Sequence, residues 1–164
     1  MTKYYSTKTY GNDRGLSCCF RQWRAAHSHC SLLHGYSIGI KLIFSTETLD
    51  DRNWVMDFGS LKPFKEWAEY MFDHTLIIAR DDPMLDFFIK MNELDGGFND
   101  MGICDLRIID HVGCEVFAEL AYNAMNDMLE EFKNGSGRYP AGESVKLVSV
   151  EVFEHGANSA IYER

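Results

Sequence analysis

A stretch of strict alternation constrains this chain most. Tyr36, Ile38, Ile40, Leu42 and Phe44 recur at every second position, so in an extended backbone they share one face. A period of two is incompatible with a helix and predicts a strand with one buried side. Upstream, a second, partly alternating apolar segment starts at Leu16 and runs toward residues 30–33. Together the segments predict an antiparallel hairpin over residues 16–44, with residues 30–33 as a four-residue loop.

The remaining pattern fills in around that hairpin. Residues 46–53 read as a polar turn before WVMDF. Leu61, Phe64, Trp67, Ala68, Met71 and Phe72 then follow at three- and four-residue spacing, as on one face of a helix that ends at Asp73 and His74. Asp82 before Pro83 reads as an N-cap with proline at the first helical position. It would open a short helix that turns Leu85, Phe88 and Met91 inward and covers the site. Residues 92–102 are rich in Gly and Asp and read as a loop. Val116, Phe117, Leu120, Ala121, Ala124, Met128, Leu129 and Phe132 make the longest amphipathic helix, ended by KNGSGRYPAGES. Val148, Val150 and Val152 alternate with Ser149, Glu151 and Phe153, and FEHGANSAIYE supplies a turn and a last strand. Two hairpins separated by helices predict one α+β domain over residues 1–164, a mostly antiparallel sheet with two main helices on one face. Free strand edges in such a sheet invite pairing between subunits.

Charge and cysteine content narrow the function. With 16 Lys and Arg against 25 Asp and Glu, the net charge is −9 and the basic residues are scattered, which argues against a nucleic-acid surface. No run approaches the ~18 apolar residues of a membrane span, and the start MTKYYSTKTYGNDRG has no apolar signal core, so a cytoplasmic protein is expected. Five cysteines in such a chain read as reduced thiols.

The chemistry gathers near the hairpin tip. His27, His29 and His34 fall within eight positions, with Cys30 between them. A loop at residues 30–33 would set His29 opposite His34 and His27 opposite Tyr36, placing all four on one face. Three imidazoles at that spacing suit a catalytic Zn²⁺ with one position open; the alternative is histidines satisfied by hydrogen bonds. Cys30 is either a structural thiol or a thiolate activated by neighbouring cationic groups. Asp73 and His74 are either a charged helix end or a proton relay. Glu154 continues the buried face of Val148, Val150 and Val152. Its carboxylate would accept two parallel N–H groups from an amino-pyrimidinone edge, or pair with a neighbouring subunit. Glu115, in the first turn of the long helix, either serves the same ligand or complements the helix dipole. Arg24 and Lys41 are the cations available near the hairpin.

WRAAH, CSLLHGY, WVMDFGSLK, FDHTLI, the CE that opens the second helix and VEVFEHGANSAIY occur in this order over almost the whole chain. In this they resemble the 6-pyruvoyltetrahydropterin synthase family, and the Cys30-to-His34 spacing is like its 6-carboxytetrahydropterin synthase branch, whose motif reads C-x-x-x-H-G-H. The resemblance implies a tunnelling fold whose sheets join across subunits into a barrel, and hexamers with sites at subunit interfaces. It implies a zinc enzyme that converts 7,8-dihydroneopterin triphosphate, with loss of acetaldehyde and triphosphate, on the route to 7-deazaguanines such as queuosine. Cys30 would move protons as a thiolate, Asp73 with His74 would form a second relay, and Glu154 with Glu115 would hold the pterin ring. A pyruvoyl-type lyase and a pterin- or purine-binding protein without zinc or catalysis are the other readings. Two positions depart from the pattern: the second H of HGH is Tyr36, and the stretch between the first His and the Cys is short. The expected ligands are therefore His27, His29 and His34, with Tyr36 beside the metal.

Overall fold

The computed structural model describes residues 2–98 and 101–164. In chain order the elements are β1 (Tyr4–Tyr10), β2 (Leu16–Phe20), β3 (His34–Thr46), α1 (Lys62–Phe72), β4 (Thr75–Ala79), α2 (Leu85–Asn92), β5 (Asp95–Phe98), β6 (Met101–Gly102), β7 (Leu106–Ile109), α3 (Cys114–Lys133), β8 (Lys146–His155) and β9 (Asn158–Glu163). The expected loop at residues 92–102 is in part a small β5–β6 ribbon, and Asn99 and Asp100 lie outside the described residues.

One open sheet carries the fold, in the order β7-β4-β2-β3-β8-β9, with β1 also on β3. The predicted alternation holds: Ile38, Ile40, Leu42 and Phe44 of β3 are buried, and the strand is long enough to pair with β2 and β1 along one edge and β8 along the other. Gly39 makes this crowding feasible, since a Cβ there would stand 3.1 Å from the Tyr10 carbonyl and 3.2 Å from Asn12 Oδ1. The sheet is mixed rather than antiparallel, because β4 runs parallel to both β2 and β7. Buried along its full length, β4 (TLIIA) shows the continuous apolar run of a strand covered on both faces.

Both main helices pack on one face, as expected. Phe64, Ala68 and Phe72 of α1 and Phe117, Ala121, Met125 and Leu129 of α3 are buried in the core with Cys18, Phe20, Val150 and Val152. Phe72 and Phe20 meet Phe117 at ring-centroid distances of 5.3 and 5.0 Å. Phe88 of α2 joins a second cluster with Leu76 and Ile78, against which Cys19 packs. Since Cys18 and Cys19 point to opposite faces, α2 covers the other side of the sheet from Phe20. Asp82 accepts the Met84 N–H at 2.8 Å in the turn before α2, but the helix begins at Leu85 with Met84 at its N-cap position, so the expected Asp82 cap with Pro83 first in the helix is corrected. No helix among the described residues is long and apolar enough to cross a membrane.

Candidate functional site

The register of β2 on β3 decides what the hairpin can present. Phe20 pairs with His34 and Cys18 with Tyr36, so the antiparallel ladder ends at Phe20 and residues 21–33 form a long connection. The expected four-residue loop and the pairing of His29 with His34 and His27 with Tyr36 are therefore corrected. The cause is a set of non-local ties. Arg21 forks onto the buried Asp82, donating from Nε to Oδ2 at 2.8 Å and from Nη2 to Oδ1 at 2.6 Å, and its Nη1 reaches the Ser31 carbonyl at 3.4 Å. The Gln22 N–H donates to the Cys30 carbonyl at 2.8 Å, and Gln22 Nε2 to the Val112 carbonyl at 3.0 Å. These bonds pull the chain out of the sheet after Phe20 and fold it into turns, where His27 is exposed and His29 opens a 3-10 turn capped by Ser28.

His34 and Tyr36 do share a face, and a line of rings runs through them. Ring-centroid distances are 5.3 Å for Phe20–His34, 5.4 Å for His34–Tyr36 and 5.9 Å for Tyr36–His155. The Leu32 carbonyl accepts from His34 Nδ1 at 2.7 Å, which places a proton on Nδ1 and leaves Nε2 to face away from this bond. Burial, then the neighbouring Glu154 carboxylate and Cys30 thiol, hold the Tyr36 phenol above its ordinary pKa, so it stays protonated at neutral pH. Cys30 is exposed. Cys114, at the start of α3, donates to the Val152 carbonyl at 3.1 Å and ties the turn bearing Glu115 to the end of β8 bearing Glu154. Burial first, and Glu154 and Glu115 after it, push its thiol up to about 11. The half-buried Glu154 accepts through its backbone oxygen from Asn12 at 3.5 Å, and its carboxylate has no ion-pair partner among the described residues. Cys30, His34, Tyr36, Glu154 and His155 thus form one neighbourhood, bordered by Glu115.

Asp73 and His74 lie elsewhere within the chain. Asp73 Oδ1 and His74 Nδ1 are 2.7 Å apart, and His74 takes the left-handed conformation, φ +57°, that turns the chain from α1 into β4. Its imidazole borders a cavity of about 390 Å³ with Ser17, Cys19, Leu33, Gly35 and Cys104, on the α2 side of the sheet. Arg24 is engaged by Asp81 and lies 4.3 Å over the Trp23 ring. A cavity of about 520 Å³ is lined by Tyr4, Tyr5, Ser6 and the WVMDFG segment, away from His34 and Tyr36. Three neighbours of the site escaped the sequence reading. Phe20 and Cys114 needed the register and the α3–β8 contact to be placed, whereas His155, next to Glu154 at the strand end, carried a readable signal.

A zinc ion needs three or four donors at tetrahedral spacing. Among the described residues, no three His, Cys, Asp or Glu side chains gather into a group that could hold a metal. The four same-face side chains at this end of the β2–β3 pair are Cys18, Phe20, His34 and Tyr36. Burial, aided by Cys19 and Cys114, pushes the Cys18 thiol up to about 12, leaving one available imidazole, a protonated thiol, a phenol and a hydrocarbon ring. That donor set does not fit zinc.

Comparison with known proteins agrees with this architecture. Residues 12–164 match the family model of 6-pyruvoyl tetrahydropterin synthase. A 6-carboxy-5,6,7,8-tetrahydropterin synthase of Aquifex aeolicus is 28% identical over 133 residues, covering 81% of this chain and 75% of that protein. The enzyme of the same name from Rickettsia conorii is 35% identical over 54 residues, and the match spans only 39% of its length and 32% of this chain. Among solved structures, an uncharacterised Wolinella succinogenes protein superposes with TM-score 0.76 at 18% identity, covering 100% of this chain and 99% of the other. A Plasmodium falciparum 6-pyruvoyl tetrahydropterin synthase superposes with TM-score 0.66 at 14% identity and the same coverage.

Proposed function

Because the chain belongs to the 6-pyruvoyl tetrahydropterin synthase family, we propose that it is a pterin-processing lyase of the 6-carboxytetrahydropterin synthase type. It would convert 7,8-dihydroneopterin triphosphate to 6-carboxy-5,6,7,8-tetrahydropterin, releasing acetaldehyde and triphosphate, and so supply 7-deazaguanine synthesis in the cytoplasm. The observation that carries the reading is the half-buried Glu154 carboxylate, without an ion-pair partner among the described residues, beside the Tyr36 phenol. A carboxylate so placed accepts the two parallel N–H donors of an amino-pyrimidinone edge, with Glu115 bordering the ring. His34, Tyr36 and Cys30 then flank the substrate side chain and move its protons. Asp73 and His74 open on the other sheet face, so in this reading they serve a neighbouring copy's site. Assembly through the free edges of β1, β7 and β9, as a hexamer, brings them there.

One observation favours a second reading, a pterin- or purine-binding protein of the same fold without this catalysis: His27 and His29 are drawn away from His34. Incubating the purified protein with 7,8-dihydroneopterin triphosphate and identifying products by mass separates the two. Acetaldehyde and the 6-carboxy product are expected. Unchanged substrate in the presence of saturable binding would replace the enzyme with the binder.

A further inference from the structure

We propose that this chain carries no divalent cation on the β2–β3 face, because Phe20 and Tyr36 close the two positions flanking His34 from which a metal there would draw its other ligands. The inference rests on the strand register and residue types, and is independent of whether the lyase reaction runs.

A tetrahedral zinc bound at ~2.0–2.1 Å by imidazole nitrogens needs its donors ~3.3 Å from one another. Side chains that share a face on adjacent antiparallel strands meet that need, since their Cβ atoms stand ~4.5–5.5 Å apart. Around His34 those positions are Phe20 directly across and Tyr36 two residues along, with Cys18 across from Tyr36. Phe20 offers no lone pair. Its ring is 4% exposed, lies 5.3 Å from the His34 ring and packs edge-on against Phe117, so it is held in the core and cannot swing aside. Tyr36 meets His34 edge-on at 5.4 Å and has His155 at its other side, 5.9 Å away. His27 and His29 cannot substitute, because the Arg21–Asp82 fork and the Gln22 bonds hold their segment outside the ladder. On the β2–β3 face His34 is the one imidazole, flanked by Phe20 and Tyr36 with His155 beyond Tyr36, so ligands are met there by ring faces and protein protons rather than by a Lewis acid.

The test is metal content, read by plasma mass spectrometry after dialysis against zinc and then against metal-free buffer. Wild-type protein should retain no stoichiometric zinc. The double variant Phe20→His with Tyr36→His, which sets three imidazoles on the face, should retain one zinc per chain and show a zinc-dependent rise in melting temperature. Should the buried Phe20 substitution prevent folding, the zinc content of wild type beside that of His34→Ala decides the proposal without it. Stoichiometric zinc in wild type that is lost in His34→Ala overturns the proposal. So does failure of a folded double variant to gain zinc, since Phe20 and Tyr36 would then not be what closes the position. Product formation from the pterin substrate is a separate readout, so failure of the lyase reading leaves these outcomes unchanged.

Discussion

Replacing Arg21 with Ala should destabilise the protein more than any surface ion pair could. The Asp82 side chain is fully buried and that of Arg21 is 20% exposed, and the substitution removes both arms of the fork. Among the described residues the Asp82 carboxylate then keeps the Met84 N–H alone. Breaking a buried pair by deleting one partner costs ~3–5 kcal/mol, and the partial exposure of Arg21 sets the expectation at the lower end, about 3 kcal/mol. For a chain of this size, that lowers the melting temperature by about 6–12 °C. Burial alone would raise the Asp82 pKa, but the Arg21 hydrogen bonds and the Met84 N–H outweigh it and leave the carboxyl below its usual range. A depressed folded pKa means the pair stabilises fully above the ordinary carboxylate pKa and loses its contribution as pH falls through the lower folded value. The gap between wild type and Arg21→Ala should therefore be full at pH 7 and shrink below about pH 4. Urea denaturation at both pH values measures it. A loss under about 1 kcal/mol, the range of exposed pairs, would refute the reasoning, as would a gap that is the same at low pH.

Other consequences follow from the same geometry. Cys30, the exposed thiol, should be alkylated first by iodoacetamide at pH 8, while Cys18 and Cys114, pushed up to about 12 and about 11 by burial, resist until the protein unfolds; peptide mass mapping over time checks the order. Gln22→Ala frees the Val112 carbonyl and should cost about 1 kcal/mol in a urea titration, with no change in m-value. Phe117→Ala opens a cavity between Phe20 and Phe72 and should cost ~3–5 kcal/mol, read by the same titration.

Much of the frame is legible in the sequence because it depends on local period. Residues 38–44, the α1 face and the α3 face are fixed by which side chains the nearest layer must cover. The short fully buried strand β4 is not legible in this way, since a five-residue apolar run has no period to distinguish it, and its parallel partners are set by distant segments. The end of β2 is lost for a different reason. Residues 21–29 carry no local stop signal, but Arg21 finds its partner in Asp82, 61 residues on, and that fork, with the Gln22 bonds, holds His27 and His29 outside the ladder. For the candidate site, the Cys30-to-His34 spacing and the placement of Glu154 at the end of an alternating strand were readable. The identity of the residue across from His34 was not, because the connection over residues 21–33, in place of the expected loop at 30–33, exchanges His29 for Phe20.

The central claim is that the face formed by His34, Tyr36 and Glu154 receives a pterin, with Glu154 as the anchor. Titrating wild type and Glu154→Gln with 7,8-dihydroneopterin triphosphate, followed by pterin fluorescence, tests it most directly. A hydrogen-bonded charge contributes ~1.5–3 kcal/mol, so wild type should bind saturably and the variant about 10- to 150-fold more weakly. Equal affinity in the two proteins, or no saturable binding to wild type, would contradict it.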